Sequence, residues 1–344
     1  MAHQSHRRDF LKGLLRSGAE LAQEASSAIG RTDLGRTAEP EPETDPRPVC
    51  AEPTRRRASV PDLVLLCREV GFSEAREADM RRLARPSVRL TRGDTESLEP
   101  GTSRLGGVPD LPAGFRWPSR GGRDLAFLGQ VNLAAVVALV PEAELPASGL
   151  LLFFYDLEER PRGLEPADRG SCRVIPVQGR VEPDSQGRAH FADHPLVLSA
   201  ELTLPPADSF HVERLGLSDD ELVSWDRLRE RLADFQAVAL EGHSPTWSPL
   251  HRLLGHPEPI HRNEMELECE LVTHGLNLCE GEGNFDPRRM ELERGADAWR
   301  LLLQLSADDS LSPNWGQSLE RLYVWIRALD LESARFERVW AILQ

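Results

Sequence analysis

The pattern of apolar and polar positions predicts a body of short strands with few helices. Residues 150–155 form a continuous apolar run bounded by Gly149 and Asp156, which is typical of a buried strand. No strand–helix–strand alternation is present, so the pattern favours an α+β fold with antiparallel or mixed sheets. Other runs with strand character lie at 172–181, 189–191, 196–204, 299–305, 322–326 and 338–343.

Helices are predicted where capping residues precede an apolar stripe. Ser218 and Glu221 have the spacing of a capping box, and apolar residues follow at helical intervals. This pattern predicts a connector helix over 218–236, with Leu222, Trp225, Leu228, Leu232 and Phe235 on its buried face. Shorter helices are predicted at 61–72, 73–85, 132–137 and 330–334.

Two stretches of the chain are nearly the same. The run 104–110 recurs at 252–258, with Arg, Leu, Gly, Pro and an acidic residue in register. Each run is followed by an apolar segment that contains a glutamine, Gln130 or Gln304, and then by a second apolar segment. The repeat predicts an internal duplication with two pseudo-symmetric halves, at about 88–205 and 244–344.

The first 30 residues have an amphipathic pattern behind a twin-arginine-like start at 7–12. Charged residues interrupt the apolar stretch that export needs, so we predict a cytoplasmic protein. Three roles for this helix stay open: packing on its own body or remaining free, contact of residues 7–29 with a partner or membrane surface, and export. Residues 31–60 are rich in proline and charge, which predicts a disordered linker before a domain at 61–344.

Composition narrows the possible functions. The chain has 40% hydrophobic residues and a net charge of −15, so we expect a soluble body that does not bind nucleic acid. Lys12 is the only lysine, which excludes a Schiff-base lysine or a Walker-A loop in the body. The five cysteines contain no C-x-x-C motif, as expected for reduced thiols, and no apolar run reaches the ~18 residues of a membrane helix.

Several motifs together resemble one protein family. The segments are 106–112, 115–118, 125–133, 149–156, 254–257 and 321–326. As an ordered set they resemble the YwqG-like family of bacterial proteins of unknown function, over about residues 88–344. The resemblance implies an α+β fold with an internal duplication and no established activity, so it supplies no catalytic residue and no cofactor. The chain departs from the family near 315–320, where an aspartate and glycines are expected.

The two glutamines are the main candidates for ligand binding. A glutamine in an apolar run must face outward or form hydrogen bonds inside the protein. Two at matching positions could face a shared cleft, or each could brace a neighbouring loop through its amide. The predicted ligand-binding residues are Gln130, Gln304, Arg104, Arg252, Trp117 and Trp315.

A run of histidines and cysteines offers an alternative chemistry. His256, His261, Cys269 and Cys279 have side chains that bind zinc, but their spacing matches no common zinc motif. We therefore predict no metal site here, and we keep a metal-assisted hydrolase at the repeat interface as the alternative. The leading hypothesis is a non-catalytic module, without a cofactor, that binds a partner protein or a small polar ligand in a cleft between the repeats.

Overall fold

The computed structural model describes residues 60–93, 99–238, 250–261, 263–279, 281–307 and 320–344. The predicted tail helix and linker, Trp315 and most of the segment at 315–320 lie outside these residues. Within the described ranges, no helix combines the length and the apolar character needed to cross a membrane.

Ten strands form one large sheet in which every pairing is antiparallel. In chain order the strands are β1 (Arg85–Arg92), β2 (Arg104–Leu105), β3 (Asp110–Leu111), β4 (Ser119–Arg120), β5 (Arg123–Asp124), β6 (Ala126–Asn132), β7 (Leu150–Tyr155), β8 (Cys172–Val177), β9 (Glu182–Pro183), β10 (His194–Thr203), β11 (His251–Leu254), β12 (Trp299–Ser306), β13 (Arg321–Arg327) and β14 (Trp340–Leu343). The large sheet has the order β14-β13-β12-β11-β1-β10-β2-β6-β7-β8, and β3–β9 and β4–β5 form two small pairs.

The large sheet consists of two equivalent halves that meet at β1 and β10. The order β10-β2-β6-β7-β8 in the first half matches β1-β11-β12-β13-β14 in the second. Arg104 lies opposite Gln130, and Arg252 lies opposite Gln304. The register also shifts at equivalent places, at Leu128 in β6 and at Leu302 in β12. The internal duplication and the α+β class are therefore confirmed.

The sheet curls into a nearly closed barrel, and each half contributes to the closure. Leu343 on edge strand β14 donates its N–H to the Arg162 carbonyl (3.2 Å), and the Trp340 indole donates to the Gly163 carbonyl (2.8 Å). In return, residues Phe336–Arg338 of the second half pack against β8 at the other edge. These contacts cover two strand edges that would otherwise expose unpaired backbone groups.

The described part of the chain also contains eight α-helices. They are α1 (Val60–Glu69), α2 (Glu74–Leu83), α3 (Leu133–Leu139), α4 (Phe210–Glu213), α5 (Asp219–Val238), α6 (Met265–Thr273), α7 (Arg289–Leu292) and α8 (Ala328–Glu332). The predicted capping box at the start of α5 is confirmed, because Ser218 and Glu221 exchange side chain to backbone hydrogen bonds. Trp225 is fully buried as predicted, whereas Phe235 on the same helix is 44% exposed.

Two local predictions are wrong. The strand expected at 189–191 is irregular, because its backbone turns to meet the loop at residues 106–109, which we call the glycine loop. The Phe191 carbonyl accepts a hydrogen bond from Gly107 N–H (3.1 Å). The helix expected at 73–85 ends at Leu83, and β1 begins at Arg85. Pro86 explains this boundary, since the residue before a proline avoids helical dihedral angles.

The main core lies on one face of the sheet and spans both halves. It includes Val88, Leu128, Phe153, Leu303 and Val324, all almost completely buried. Three smaller hydrophobic clusters pack elsewhere on the sheet, and two of them include helices. One joins α1, α2 and α5 around Trp225, another joins α6 to the second half around Trp299, and a third covers the first half around Phe154. The α6 cluster positions one wall of the site described next.

Candidate functional site

The glycine loop of the first half is held by a buried arginine, an acid and a glutamine. Arg104 donates to the Val108 carbonyl (3.2 Å) and to the Asp110 carboxylate (2.7 Å). Gln130 accepts a hydrogen bond from Asp110 N–H (2.9 Å) and donates to the Thr102 carbonyl (2.8 Å) and the Asp110 carboxylate (2.6 Å). Both N–H groups of the Gln130 amide are thereby occupied. We call Arg104, Asp110 and Gln130 the first loop anchor.

The second half repeats two of the three hydrogen bonds of the glutamine. Gln304 accepts from Glu258 N–H (2.9 Å) and donates to the Leu250 carbonyl (2.9 Å). Arg252 donates to the His256 carbonyl (2.8 Å), as Arg104 does to the equivalent carbonyl in the first half. Arg252, Glu258 and Gln304 form the second loop anchor. In both halves the glutamine braces a loop, which is one of the two roles that the sequence leaves open.

The two loop anchors are separate in the sheet. Strands β1 and β10 lie between β11 and β2, which places the anchors about 14 Å apart along the sheet at the usual spacing of antiparallel strands. Both glutamines are fully buried. Direct binding of a ligand by Arg104, Arg252, Gln130 or Gln304 therefore stays a prediction.

Trp117 lies in the first-half cluster. Its indole donates to the Leu125 carbonyl (2.8 Å), and its ring meets Phe154 edge-on at 5.2 Å between centroids. The Arg188 guanidinium covers the ring at 3.8 Å from its centroid, and Asp184 fixes that guanidinium through an ion pair (2.9 Å). These contacts hold one face of the indole inside the protein. A role for Trp117 in ligand binding also stays a prediction.

A buried carboxylate links the second loop anchor to the central strands. Glu201 on β10 accepts hydrogen bonds from Ser87 (3.1 Å) and Arg89 (2.9 Å), and it lies 2.9 Å from the Arg252 Nε. Burial alone would raise the pKa of the Glu201 carboxyl, but the charges of Arg252 and Arg89 hold it below its usual range. Glu201 is thus ionised and compensates two arginines in the core of the sheet.

The loop held by the second anchor presents His256, which is almost completely buried. The His256 Nε2 lies 2.7 Å from the Leu83 carbonyl, and the His256 N–H donates to the Thr203 hydroxyl (2.9 Å). Since a carbonyl can only accept, Nε2 carries the ring proton and Nδ1 is the acceptor. Nδ1 is buried and has no hydrogen-bond partner among the described residues.

The surroundings keep His256 neutral. Burial lowers its pKa well below the usual value, and the positive charge of Arg85 lowers it further. The imidazole of His211 meets it edge-on, with 5.8 Å between the ring centroids. His256 therefore offers an uncharged nitrogen that can accept a hydrogen bond.

Three further side chains complete the cluster. The His211 Nε2 lies 3.6 Å from the Glu266 carboxylate, and both side chains are at least nine-tenths buried. Arg85 is half-buried, and its guanidinium makes no hydrogen bond or ion pair within the part of the chain that the structure describes. Burial and then the charge of Arg300 lower the pKa of Arg85 to about 10. We call Arg85, His211, His256 and Glu266 the histidine cluster.

Each member of the histidine cluster is positioned by a different element. His211 lies on α4, whose first turn is capped by the Ser209 hydroxyl. Glu266 lies in the first turn of α6, and Arg85 is the first residue of β1. His256 belongs to the histidine–cysteine run of the sequence and Glu266 lies within the same run, but Arg85 and His211 come from distant segments with no local motif. No sequence signal brings them together.

The other three residues of the metal alternative differ in their burial. His261 and Cys279 are exposed, whereas Cys269 is fully buried in the α6 cluster. Burial raises the pKa of the Cys269 thiol well above its usual value, and burial with Glu165 raises that of Cys279 to about 11. Among the described residues, no group of three His, Cys, Asp or Glu side chains has a geometry that could hold a metal ion.

Comparison with known protein families identifies the family to which the chain belongs. The family model described as a domain of unknown function, DUF1963, matches residues 103–344, which is well over half of the chain. The protein belongs to this family. A search of curated proteins finds no match. His211, His256 and Glu266 lie inside the matched region, whereas Arg85 precedes it.

Proposed function

We propose that this protein is a non-catalytic module that binds a small polar ligand at the histidine cluster. The observation that carries the proposal is the Nδ1 of His256, a buried acceptor without a partner in the described part of the chain. Buried polar atoms in native proteins are nearly always hydrogen-bonded, so this one calls for an external partner. Arg85, whose guanidinium makes no hydrogen bond or ion pair in the described ranges, lies opposite Thr203, whose hydroxyl accepts from His256 N–H.

The loop anchors act in this proposal as supports. Arg252 binds the backbone carbonyl of His256, and Gln304 binds the backbone of Glu258 two residues further on. They fix the loop that carries the imidazole and need not touch the ligand. The first loop anchor, with Arg104 and Gln130, holds the equivalent loop of the other half.

The hydroxyl groups near the cluster support binding over catalysis. The Thr203 hydroxyl donates to the Arg85 carbonyl (3.0 Å) and accepts from His256 N–H. The Ser209 hydroxyl accepts from Val212 N–H (3.3 Å) as a helix cap. A nucleophilic hydroxyl needs an adjacent base that takes its proton, whereas the Thr203 proton is donated to a backbone carbonyl and Ser209 serves as a helix cap.

Three finer statements belong to the same proposal. We place the chain in the YwqG-like group of bacterial proteins, on the motifs between residues 106 and 326. We also propose that it acts in the cytoplasm. The ligand is a free small molecule in this proposal, and recognition of a partner protein is the competing outcome.

A thermal-shift screen tests the proposal. The wild-type protein is heated with a panel of small polar metabolites, beside His256→Gln and the control Arg68→Gln. A glutamine amide can keep the bond to the Leu83 carbonyl while the Nδ1 acceptor is lost, and Arg68 is an exposed helix residue paired with Glu77. We expect a compound that raises the melting temperature of the wild type and of the control but not of His256→Gln, because ligand binding stabilises the folded state. The proposal is wrong if no compound does so, or if His256→Gln responds equally.

A further inference from the structure

Helices α1 and α5 pack against each other and run antiparallel. The Trp225 ring on α5 meets Phe72, which follows α1, edge-on at 6.4 Å between centroids. Arg231, further along α5, forms an ion pair with Glu69 at the end of α1 (3.6 Å). As the chain advances along α1, its contacts on α5 therefore move back towards the start of that helix.

Two exposed apolar side chains are neighbours on this helix pair. Leu65 on α1 is 59% exposed and lies one turn before Glu69. Phe235 on α5 is 44% exposed and lies one turn after Arg231. Because the helices are antiparallel, both side chains lie on the same side of the Glu69–Arg231 ion pair. Single exposed apolar residues are normal on a protein surface, whereas adjacent ones indicate an interaction surface.

A row of acidic side chains borders the apolar pair. Asp226, Glu230 and Asp234 are exposed and follow one another at intervals of four residues, so they line one side of α5. Like charges at this spacing destabilise a helix. These three side chains make no hydrogen bond or ion pair within the described ranges. We call Asp226, Glu230 and Asp234 the acidic row.

The arginines of α5 do not neutralise the acidic row. Arg229 forms an ion pair with Glu258 (2.7 Å), and Arg231 forms the ion pair with Glu69. Arg227 is thus the one arginine of this helix without an ion pair in the described part of the chain. Three acids against one arginine leave an excess of negative charge beside the apolar pair.

This surface sets two requirements for a partner. The partner must cover Leu65 and Phe235 with apolar atoms, and it must place positive charges against the acidic row. A basic amphipathic helix meets both requirements, since its apolar stripe and its charged flank run side by side along the helix axis. The groove between two packed helices also has a shape that accepts a third helix.

We propose that the outer face of α1 and α5 binds a basic amphipathic helix of a partner protein. The apolar stripe of that helix covers Leu65 and Phe235, and its lysines or arginines face the acidic row. This surface shares no residue with the histidine cluster, so the failure of either proposal leaves the other unaffected.

Fluorescence anisotropy with a synthetic peptide tests the proposal on the full-length protein. The peptide has about 18 residues, or five helical turns, with leucines in one stripe and lysines along one flank. One control peptide has the same residues in scrambled order, and another has glutamates in place of the lysines. We expect the designed peptide to bind at least about tenfold more tightly than either control. Binding should weaken as added salt screens the charges.

A charge variant assigns the electrostatic part of binding to the acidic row. The triple variant Asp226→Asn, Glu230→Gln and Asp234→Asn should bind the designed peptide about tenfold more weakly at low salt. The control replaces two exposed acids elsewhere, Glu332→Gln and Glu337→Gln, and should bind as the wild type does.

An apolar variant assigns the remaining part. Phe235→Ser should weaken binding about tenfold, because the apolar surface that the peptide covers is lost. Phe285→Ser is the matched control, since Phe285 is exposed on another part of the chain and should not affect binding.

The melting temperature of the free protein separates binding from folding. The charge variant removes like-charge neighbours from α5, so its melting temperature should rise by about 1–3 °C while its binding falls. A purely structural role of the acidic row would lower both quantities together and would contradict the proposal.

Two further results would overturn the proposal. The first is a designed peptide that binds no more tightly than the scrambled one, or that binds the charge variant as tightly as the wild type. The second is self-association of the wild type in sedimentation that is lost in Phe235→Ser, because a second copy of the chain would then occupy this face.

Discussion

Leu254 adopts the same left-handed backbone conformation as Gly106, its counterpart in the other half. The φ angle is 62° at Leu254 and 65° at Gly106, and the glycine that follows each of them is also left-handed. A non-glycine residue in this region costs about 1–3 kcal/mol and persists only where its surroundings impose it. At Leu254 the second loop anchor imposes this conformation. The loop therefore keeps its shape although leucine replaces glycine at this position.

The left-handed conformation of Gly106 leads to a prediction about the stability of a Gly106→Ala variant. An added Cβ at Gly106 would lie 2.8 Å from the Phe191 Cβ and closer still to the Ala192 carbonyl. Gly114 has a similar φ of 74° with open space around it, so Gly114→Ala measures the dihedral cost alone. We expect Gly106→Ala to lower the free energy of unfolding by about 1–3 kcal/mol more than Gly114→Ala, which is the usual cost of overpacking. Urea unfolding measures both, and equal losses would contradict the close approach.

The bracing role of Gln304 makes a second prediction. Gln304→Leu keeps the size of the side chain but leaves the Glu258 N–H without a partner, and the Leu250 carbonyl keeps only a long hydrogen bond from the Ser306 hydroxyl (3.4 Å). An unsatisfied buried group costs about 1–3 kcal/mol, so the expected loss is about 1–3 kcal/mol. The exposed Gln186→Leu is the control and should have little effect. A small loss in Gln304→Leu would show that the amide is not needed to hold the loop.

The buried Glu201 makes a third prediction, which depends on pH. Its pKa in the folded protein is lower than the unfolded value of about 4.5, so its contribution to stability is present above pH 4.5. That contribution is lost as the pH falls through the folded pKa. Glu201→Gln should cost about 3–5 kcal/mol at pH 7, because Arg89 and Arg252 lose their counterion.

The measurement is urea unfolding of Glu201→Gln and of the wild type at several pH values. The difference between them should shrink as the pH falls below 4.5. Exposed Glu230→Gln is the matched control and should show no comparable change. A difference that stays constant down to low pH would mean that the ionised carboxylate does not stabilise the strands.

The barrel closure makes a fourth prediction. Trp340→Phe removes the indole N–H that binds the Gly163 carbonyl, which should cost about 1–3 kcal/mol. The adjacent hydrogen bond from Leu343 N–H to the Arg162 carbonyl should weaken, so the Leu343 amide should exchange its hydrogen faster. Trp117→Phe loses a similar indole bond elsewhere and should leave this amide unchanged. Unchanged exchange in Trp340→Phe would show that the edge is closed by other contacts.

Much of the fold follows from local signals in the sequence. Asn132 predicts the start of α3, and its side chain does accept hydrogen bonds from the N–H groups of Ala134 and Ala135. The apolar run at 150–155 predicts β7. The repeat indicates the duplication because both halves keep the residues that hold the loop. Strand β1 has no such signal: charged residues Arg85, Arg89 and Arg92 interrupt its pattern.

The candidate site could not be predicted in the same way. The histidine cluster combines side chains from α4, from β1, and from α6 and the loop after β11; only the last two elements are near each other along the chain. Their proximity depends on the sheet order, in which β11 pairs with β1, a strand that precedes it by about 160 residues in the chain. The sequence shows His256 within a run of other histidines. The position of its Nε2 against the Leu83 carbonyl, which makes Nδ1 the acceptor, appears only in three dimensions.

The most direct test of the binding proposal observes the His256 nitrogens themselves. Long-range proton–nitrogen NMR spectra of the wild type and His256→Gln identify this ring among the ten histidines. In the free protein we expect a protonated Nε2 and an Nδ1 with the shift of an unprotonated nitrogen that accepts no hydrogen bond. Addition of a compound that the thermal-shift screen identifies should move the Nδ1 resonance towards a hydrogen-bonded value and leave Nε2 unchanged. An Nδ1 that is already hydrogen-bonded, or that no compound from the thermal-shift screen moves, would contradict the proposal.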